Sequence, residues 1–242
     1  MIVAESIAFE SLGHTDLEWC APLPKGQPDA WFAALETRPP RTVVDLGCGT
    51  GAFVRTWSAC NRGWTIGIDH SPRCIEVARA RSGGVGHWLC EDAASWAINH
   101  RNSADLTVCI GVEDLGGDWR SMLSLVDHTT RRGKWALVGV TVRDQNQAWD
   151  FLPDLTRLIP TENELMRDIR HFGWRPVVED TADARAWQSF DRVWRQSIAT
   201  WLRSHPEHPN AAQFTERLHH GRELFDALGP HALRFKTVLA RV

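Results

Sequence analysis

The stretch VVDLGCGTG, Val43 to Gly51 and followed by Ala52, decides how the rest of the chain is read. An apolar run passes into three glycines at alternate positions, Gly47, Gly49 and Gly51. That pattern marks a strand turning sharply into a helix around a ligand. By spacing alone, Gly47, Gly49 and Ala52 satisfy the dinucleotide pattern G-x-G-x-x-G/A. Asp69, at the end of the next apolar run, stands where a ribose-binding acid belongs.

Outward from this loop, apolar runs alternate with helix-like stretches at the rhythm of βαβ units. Strands are expected at 42–47, 64–69, 86–92, 104–112, 134–142 and 174–180, with helices at 52–60, from Ser71-Pro72 onward, at 118–131 and at 161–172. HALRFKTVLARV (231–242) alternates like a final strand. Trp187, Phe190, Trp194, Ile198 and Trp201 recur at helical spacing, and a second helix carrying Phe214, Leu218, Phe225 and Leu228 follows the breaker HPEHP at 205–209. This tryptophan stripe reads as packing. The expected fold is α/β: a Rossmann-like, doubly wound, seven-stranded, mostly parallel sheet in a single domain over 1–242. Residues 1–40 are expected to form an N-terminal lid over the sheet's carboxyl edge, 41–180 the binding core, 181–229 a helical insertion and 230–242 the last strand.

Asp45, two residues before the first glycine, separates two cofactors. An ionised carboxylate there would repel a pyrophosphate resting on the helix N-terminus. S-adenosylmethionine (SAM) has no phosphate and carries an ammonium and a sulfonium, which a carboxylate attracts. Asp69 can accept both ribose hydroxyls, with His70 beside it to position the adenosine, and Glu91-Asp92-Ala93 close the third strand where a carboxylate can take the adenine amino group. Acids at successive strand ends suit SAM better than NAD.

The D-x-G-x-G-x-G pattern here resembles the signature of class I SAM-dependent methyltransferases. The resemblance extends to WCAPLP (19–24), to CIG (Cys109, Ile110, Gly111), to Gly116-Gly117 and to HPEHP, features similar to a group of bacterial small-molecule methyltransferases. It implies SAM bound by Asp45, Gly47, Cys48, Gly49, Gly51, Asp69, His70, Glu91, Asp92, Ala93, Cys109, Ile110 and Gly111. In one place the chain departs from that group: Val140, Thr141, Val142 and Arg143 follow strand five where an acid and an aromatic are frequent.

Methyl transfer asks mainly for alignment and dryness, and for a base only where the acceptor arrives protonated. Glu113 and Asp114, directly after strand four, and His14 in the lid are the candidate acid–base groups. Trp19 or Trp149 could stack on an acceptor or face the sulfonium. The chain has 13 tryptophans and no tyrosine, so no phenol serves in either role.

Composition narrows the partners. A formal charge of −3 with no run of Lys or Arg argues against nucleic acid. No apolar stretch approaches the ~20 residues of a membrane span, and acids stand where a secretion signal would carry bases. The expected setting is cytoplasmic. The six cysteines are spaced as isolated thiols, His205 and His208 are separated by a helix breaker, and His219-His220 point to different helix faces, so no metal is expected. The leading expectation is SAM-dependent methylation of a small-molecule acceptor. A SAM-consuming cyclase releasing methylthioadenosine is the alternative. An NAD-dependent oxidoreductase is disfavoured by Asp45, and a non-enzymatic SAM-binding protein remains.

Overall fold

The computed structural model describes residues 9–24, 26–60, 63–145, 158–228 and 232–242. Among them, seven strands form one sheet: β1 (Thr42–Leu46), β2 (Trp64–Asp69), β3 (His87–Cys90), β4 (Ala104–Ile110), β5 (Thr130–Arg143), β6 (Arg175–Ala182) and β7 (Leu233–Arg241). Their spatial order is β3-β2-β1-β4-β5-β7-β6. The first five run parallel, and β7 lies antiparallel between β5 and β6. The chain winds one way from β1 to β3 and the other way from β4, so a crevice opens at the carboxyl ends of β1 and β4.

Central strands buried on both faces need continuous apolar runs, and β1 supplies one. Val43 packs on one face and Val44 on the other. Against the Val44 face lie helices α4 (Ala93–Asn99), α5 (Trp119–Thr129) and α6 (Glu162–His171), through Trp96, Met122, Leu123 and Ile169. Against the Val43 face lie α1 (Gln27–Glu36) and α2 (Ala52–Cys60), through Trp31, Leu35, Phe53 and Trp57. Helix α3 (Pro72–Arg81) closes the β2–β3 side with Ile75 and Ala78 against Trp88. It begins as its sequence requires: the Ser71 hydroxyl accepts from the Cys74 amide, with proline following in the first turn.

Three boundaries differ from expectation for local reasons. Helix α1 packs on the face of the sheet, because Trp31 and Leu35 are fully buried there, so only residues before it overlie the carboxyl edge. Strand β3 stops at Cys90, because Asp92 turns away to cap α4 by accepting from the Ser95 amide at 2.7 Å. Strand β5 starts at Thr130, without a loop after α5, because the Thr130 hydroxyl donates to the Val126 carbonyl at 2.7 Å and lies 2.8 Å from the Thr107 hydroxyl in a second hydrogen bond.

A separate cap sits over the crevice. Helices α7 (Ala184–Ser204) and α8 (Ala211–Leu228) come between β6 and β7, as expected. They pack with a short helix at 9–14 through Phe9, Leu12, Ile198 and Phe214, supported by Trp194 and Trp201. Gly13 permits this approach: a β-carbon there would run into the Trp194 indole. Arg81 donates to the carbonyls of Thr15 and Leu17 at 2.7 and 3.2 Å, fastening the chain after the short helix to α3. Among the described residues, no helix is long and apolar enough to cross a membrane.

Candidate active site

The glycine loop is folded by its own backbone. Gly47 and Cys48 amides donate to the Ile68 carbonyl at 2.8 and 3.0 Å, tying the loop to the end of β2. Gly47 has φ 72°, and a β-carbon on it would collide with Val112. Only glycine meets both conditions without strain. The Asp69 carboxylate then acts as a latch, with one oxygen accepting from the Gly49 amide at 2.9 Å and the other from the Ser71 amide at 2.8 Å. Each oxygen keeps a lone pair for a further donor.

Above this loop is a cavity of about 850 Å³, within the roughly 300–1,000 Å³ of small-molecule sites. Its floor includes Gly47, Gly49, Asp69, His70, Asp92, Ile110 and Gly111. A smaller recess of about 30 Å³, lined by Asp45, Cys48, Trp19 and Phe53, adjoins it and shares Cys20, Ala21, Gly47 and Ile110 with it. Nine of the thirteen residues expected to hold a cofactor therefore line one or both spaces, with Cys48 and Asp45 reaching only the recess. The others lie off them. Gly51 faces the Trp88 ring, Ala93 and Cys109 are buried in the fold, and the exposed Glu91 is occupied through its backbone, which donates to the Asp69 carbonyl at 3.1 Å.

Asp45 is 4% exposed, and burial together with the neighbouring Asp69 raises its pKa from the ordinary 3.8 to about 8. A carboxyl so placed is protonated at neutral pH until a cation arrives. This revises the sequence expectation of a standing anion. A cation beside Asp45 would offset the cost of its buried charge, whereas a phosphate would add to the repulsion already exerted by Asp69. Asp92 behaves oppositely, its pKa held low first by hydrogen bonding from Ser95.

On the side towards the cap, Glu113, Asp114 and His14 all line the cavity. Burial raises the pKa of Glu113, with the neighbouring Thr141 opposing. Burial lowers the pKa of His14, with Asp69 opposing, so its imidazole is neutral at pH 7. Trp19 packs edge to face on Trp31 at 6.0 Å, and Trp149 lies outside the described residues. The rings of His205 and His208 pack on Trp201 at 4.6 and 4.9 Å.

Glu10, Ser11 and Phe235 line the cavity without any site signal in the sequence, whereas Cys20 belongs to WCAPLP and Thr141 to the departure after strand five. Trp187 and Phe190 do carry a signal, since they begin the helical stripe. That stripe divides: Trp187 and Phe190 line the cavity, while Trp194, Ile198 and Trp201 build the cap's own core. Burial pushes the Cys20, Cys48 and Cys109 thiols up and Cys74 up to about 12, whereas Cys60 and Cys90 are exposed.

Comparison with known proteins meets this geometry at the glycine loop. Residues 43–133 match a family described as a methyltransferase domain. The chain carries a SAM-dependent methyltransferase domain. The methyltransferase is 23% identical over 194 residues to the uncharacterised protein YjhP of Escherichia coli K12, across 76% of this chain and 77% of that one. The crystal structure of YjhP superposes with a TM-score of 0.85 at 18% identity, covering 97% and 99% of the two chains. A SAM-dependent methyltransferase of Geobacter sulfurreducens, crystallised with S-adenosyl-L-homocysteine, gives 0.84 at 19% identity over 96% and 97%. At these identities the superpositions speak for the class I fold.

Proposed function

We propose that this enzyme transfers a methyl group from SAM to a small-molecule acceptor bound between the glycine loop and the cap. One observation carries the reading: a single cavity is floored by the glycine loop with its row of acids and roofed by residues of the cap. In this reading Asp45 receives the ammonium of SAM and the Gly47–Gly49 backbone gives it a close seat. Asp69 takes the ribose hydroxyls with its remaining lone pairs, His70 flanks the adenosine, and Asp92 takes the adenine amino group. SAM supplies an electrophilic methyl on a sulfonium. The protein aligns an acceptor against it and excludes water. Glu113 and His14 are placed to move an acceptor proton, while the exposed Asp114 shapes the local field. The paucity of basic residues along the cavity supports a small acceptor over nucleic acid. In this reading the chain is one domain in which the described residues ahead of α1 act as a lid and α7–α8 as the helical insertion over the core.

Calorimetry and product analysis test this together. SAM and S-adenosylhomocysteine should bind with micromolar-range affinity and NAD should not. A competent acceptor should release S-adenosylhomocysteine in proportion to methylated product. Methylthioadenosine formed from SAM without any acceptor, well above the uncatalysed background, would instead establish cyclisation.

A further inference from the structure

We propose that the acceptor is an amine, bound by Glu113 at the end of an aromatic wall and methylated on nitrogen; this rests on the methyl-transfer reading above. The wall is continuous. Glu113 and Thr141 line the cavity side by side, and Thr141 partly offsets the effect of burial on the Glu113 carboxyl. Thr141 on β5 stands directly opposite Phe235 on β7. Phe235 packs in one cluster with Trp187, and Trp187 meets Phe190 edge to face at 6.0 Å. All five line the cavity, so one carboxyl and three rings share one side of it.

Aromatic faces carry partial negative charge and attract cations, and a carboxylate adds a charge-assisted hydrogen bond. The remaining charges agree. Among the described lining residues are five carboxylic acids, Glu10, Asp69, Asp92, Glu113 and Asp114, and no lysine or arginine. An acceptor with a carboxylate, phosphate or phenolate head would meet like charge with no lysine or arginine to offset it, which is how a site rejects a partner. An ammonium meets both attractions.

The chemistry balances through Glu113. Its carboxylate takes one proton from the acceptor ammonium, freeing the nitrogen lone pair. That pair bonds the methyl carbon as the carbon–sulfur bond breaks, and the electrons of the broken bond remain on sulfur as S-adenosylhomocysteine. The methylated ammonium product carries the positive charge that sulfur loses, and Glu113 returns its proton to solvent. Burial, by raising the affinity of this carboxyl for a proton, favours the first step.

Full-length protein saturated with S-adenosylhomocysteine should be titrated with three matched probes: 2-phenylethylamine, 2-phenylethanol and 3-phenylpropionate. The amine should bind at least tenfold more tightly than the others, and Glu113→Gln should abolish that preference. Phe190→Leu should weaken the amine severalfold through the wall alone. Equal affinities, a preference for the acid or the alcohol, or no measurable binding of the amine would overturn the proposal. The preceding S-adenosylhomocysteine titration reports separately on each protein: wild type that binds it without an amine preference refutes the amine alone, and wild type that does not bind it refutes the methyltransferase reading. A variant that binds it is folded.

Discussion

The sheet and the cap bury the same kinds of side chain and are held together by different means. In the sheet, Val43, Leu106, Val108 and Leu137 are fixed by strands that are hydrogen-bonded to their neighbours and covered on both faces. In the cap, Phe9 and Leu12 meet Ile198 and Phe214 without any strand pairing, and the outer clasp is an Arg217–Glu10 pair at 3.4 Å on the surface. Exposed ion pairs contribute little. The cap therefore rests on its small apolar cluster and on a few side-chain ties, among them Arg195 donating from α7 to the Leu218 and Gly221 carbonyls of α8, and it should open while the sheet stays closed. Under the proposed function, a rigid floor would hold the cofactor and a looser roof would admit the acceptor.

The sharpest way to break this contrast is Phe214→Ala. Phe214 is 1% exposed at the centre of the cap cluster, and its loss should cost about 3–5 kcal/mol of cap stability. Hydrogen exchange should quicken at 9–14, α7 and α8 and remain unchanged in β1, β4 and β5. Equal acceleration in both regions would mean that floor and roof unfold as one.

Next in size is the floor's latch. Asp69→Ala removes the ribose contact and frees the Gly49 and Ser71 amides, and SAM affinity should fall by on the order of 1.5–3 kcal/mol. Cap exchange should be unaffected. An unchanged dissociation constant would mean that Asp69 does not touch the cofactor.

Asp45 makes the floor sensitive to pH. Because its carboxyl titrates at about 8 in the empty protein, an arriving ammonium must expel that proton. Affinity for SAM should fall about tenfold, or about 1.4 kcal/mol, for each pH unit below 8. Calorimetry in buffers of differing ionisation heat should find close to one proton released at pH 7. The sign for stability follows from the same shift: the folded state holds this proton more tightly than the unfolded chain, so Asp45 disfavours folding increasingly from pH 4 to pH 8. Asp45→Asn should remove that slope while weakening SAM binding. A flat affinity between pH 6 and pH 8 would place the ammonium elsewhere.

The smallest effect is at the seam. Ser11 Oγ and Ser71 Oγ lie 2.7 Å apart, joining roof to floor. Ser11→Ala should cost about 0.5–1.5 kcal/mol, visible as faster exchange at 9–14 only.

The floor was legible in the sequence because a strand, a turn and a helix start are local events. Gly47, Asp45 and Asp69 all signal within one βαβ unit, and the seven-stranded class follows from repetition of that unit. The roof was not, because nothing within residues 184–190 distinguishes Trp187, which faces the cavity, from Trp194, which faces Phe9. That difference is set by helices packing across some two hundred residues of chain. Thr141 was noted only as a departure from a pattern, and its partnership with Glu113 needed the β4–β5 pairing to become visible.

The position of β7 has a consequence for how the molecule is made. It is the last strand in sequence and an interior strand in space, the neighbour of both β5 and β6. A chain growing from its amino end holds β1 to β5 ready to pair early, while β6 has no neighbour in the sheet until residues 233–241 appear. Closure of such distant contacts is slow compared with local pairing. The glycine-loop floor should thus assemble early, and the cavity above it, which needs Phe235 and the cap, should form only after residues 233–241 have emerged.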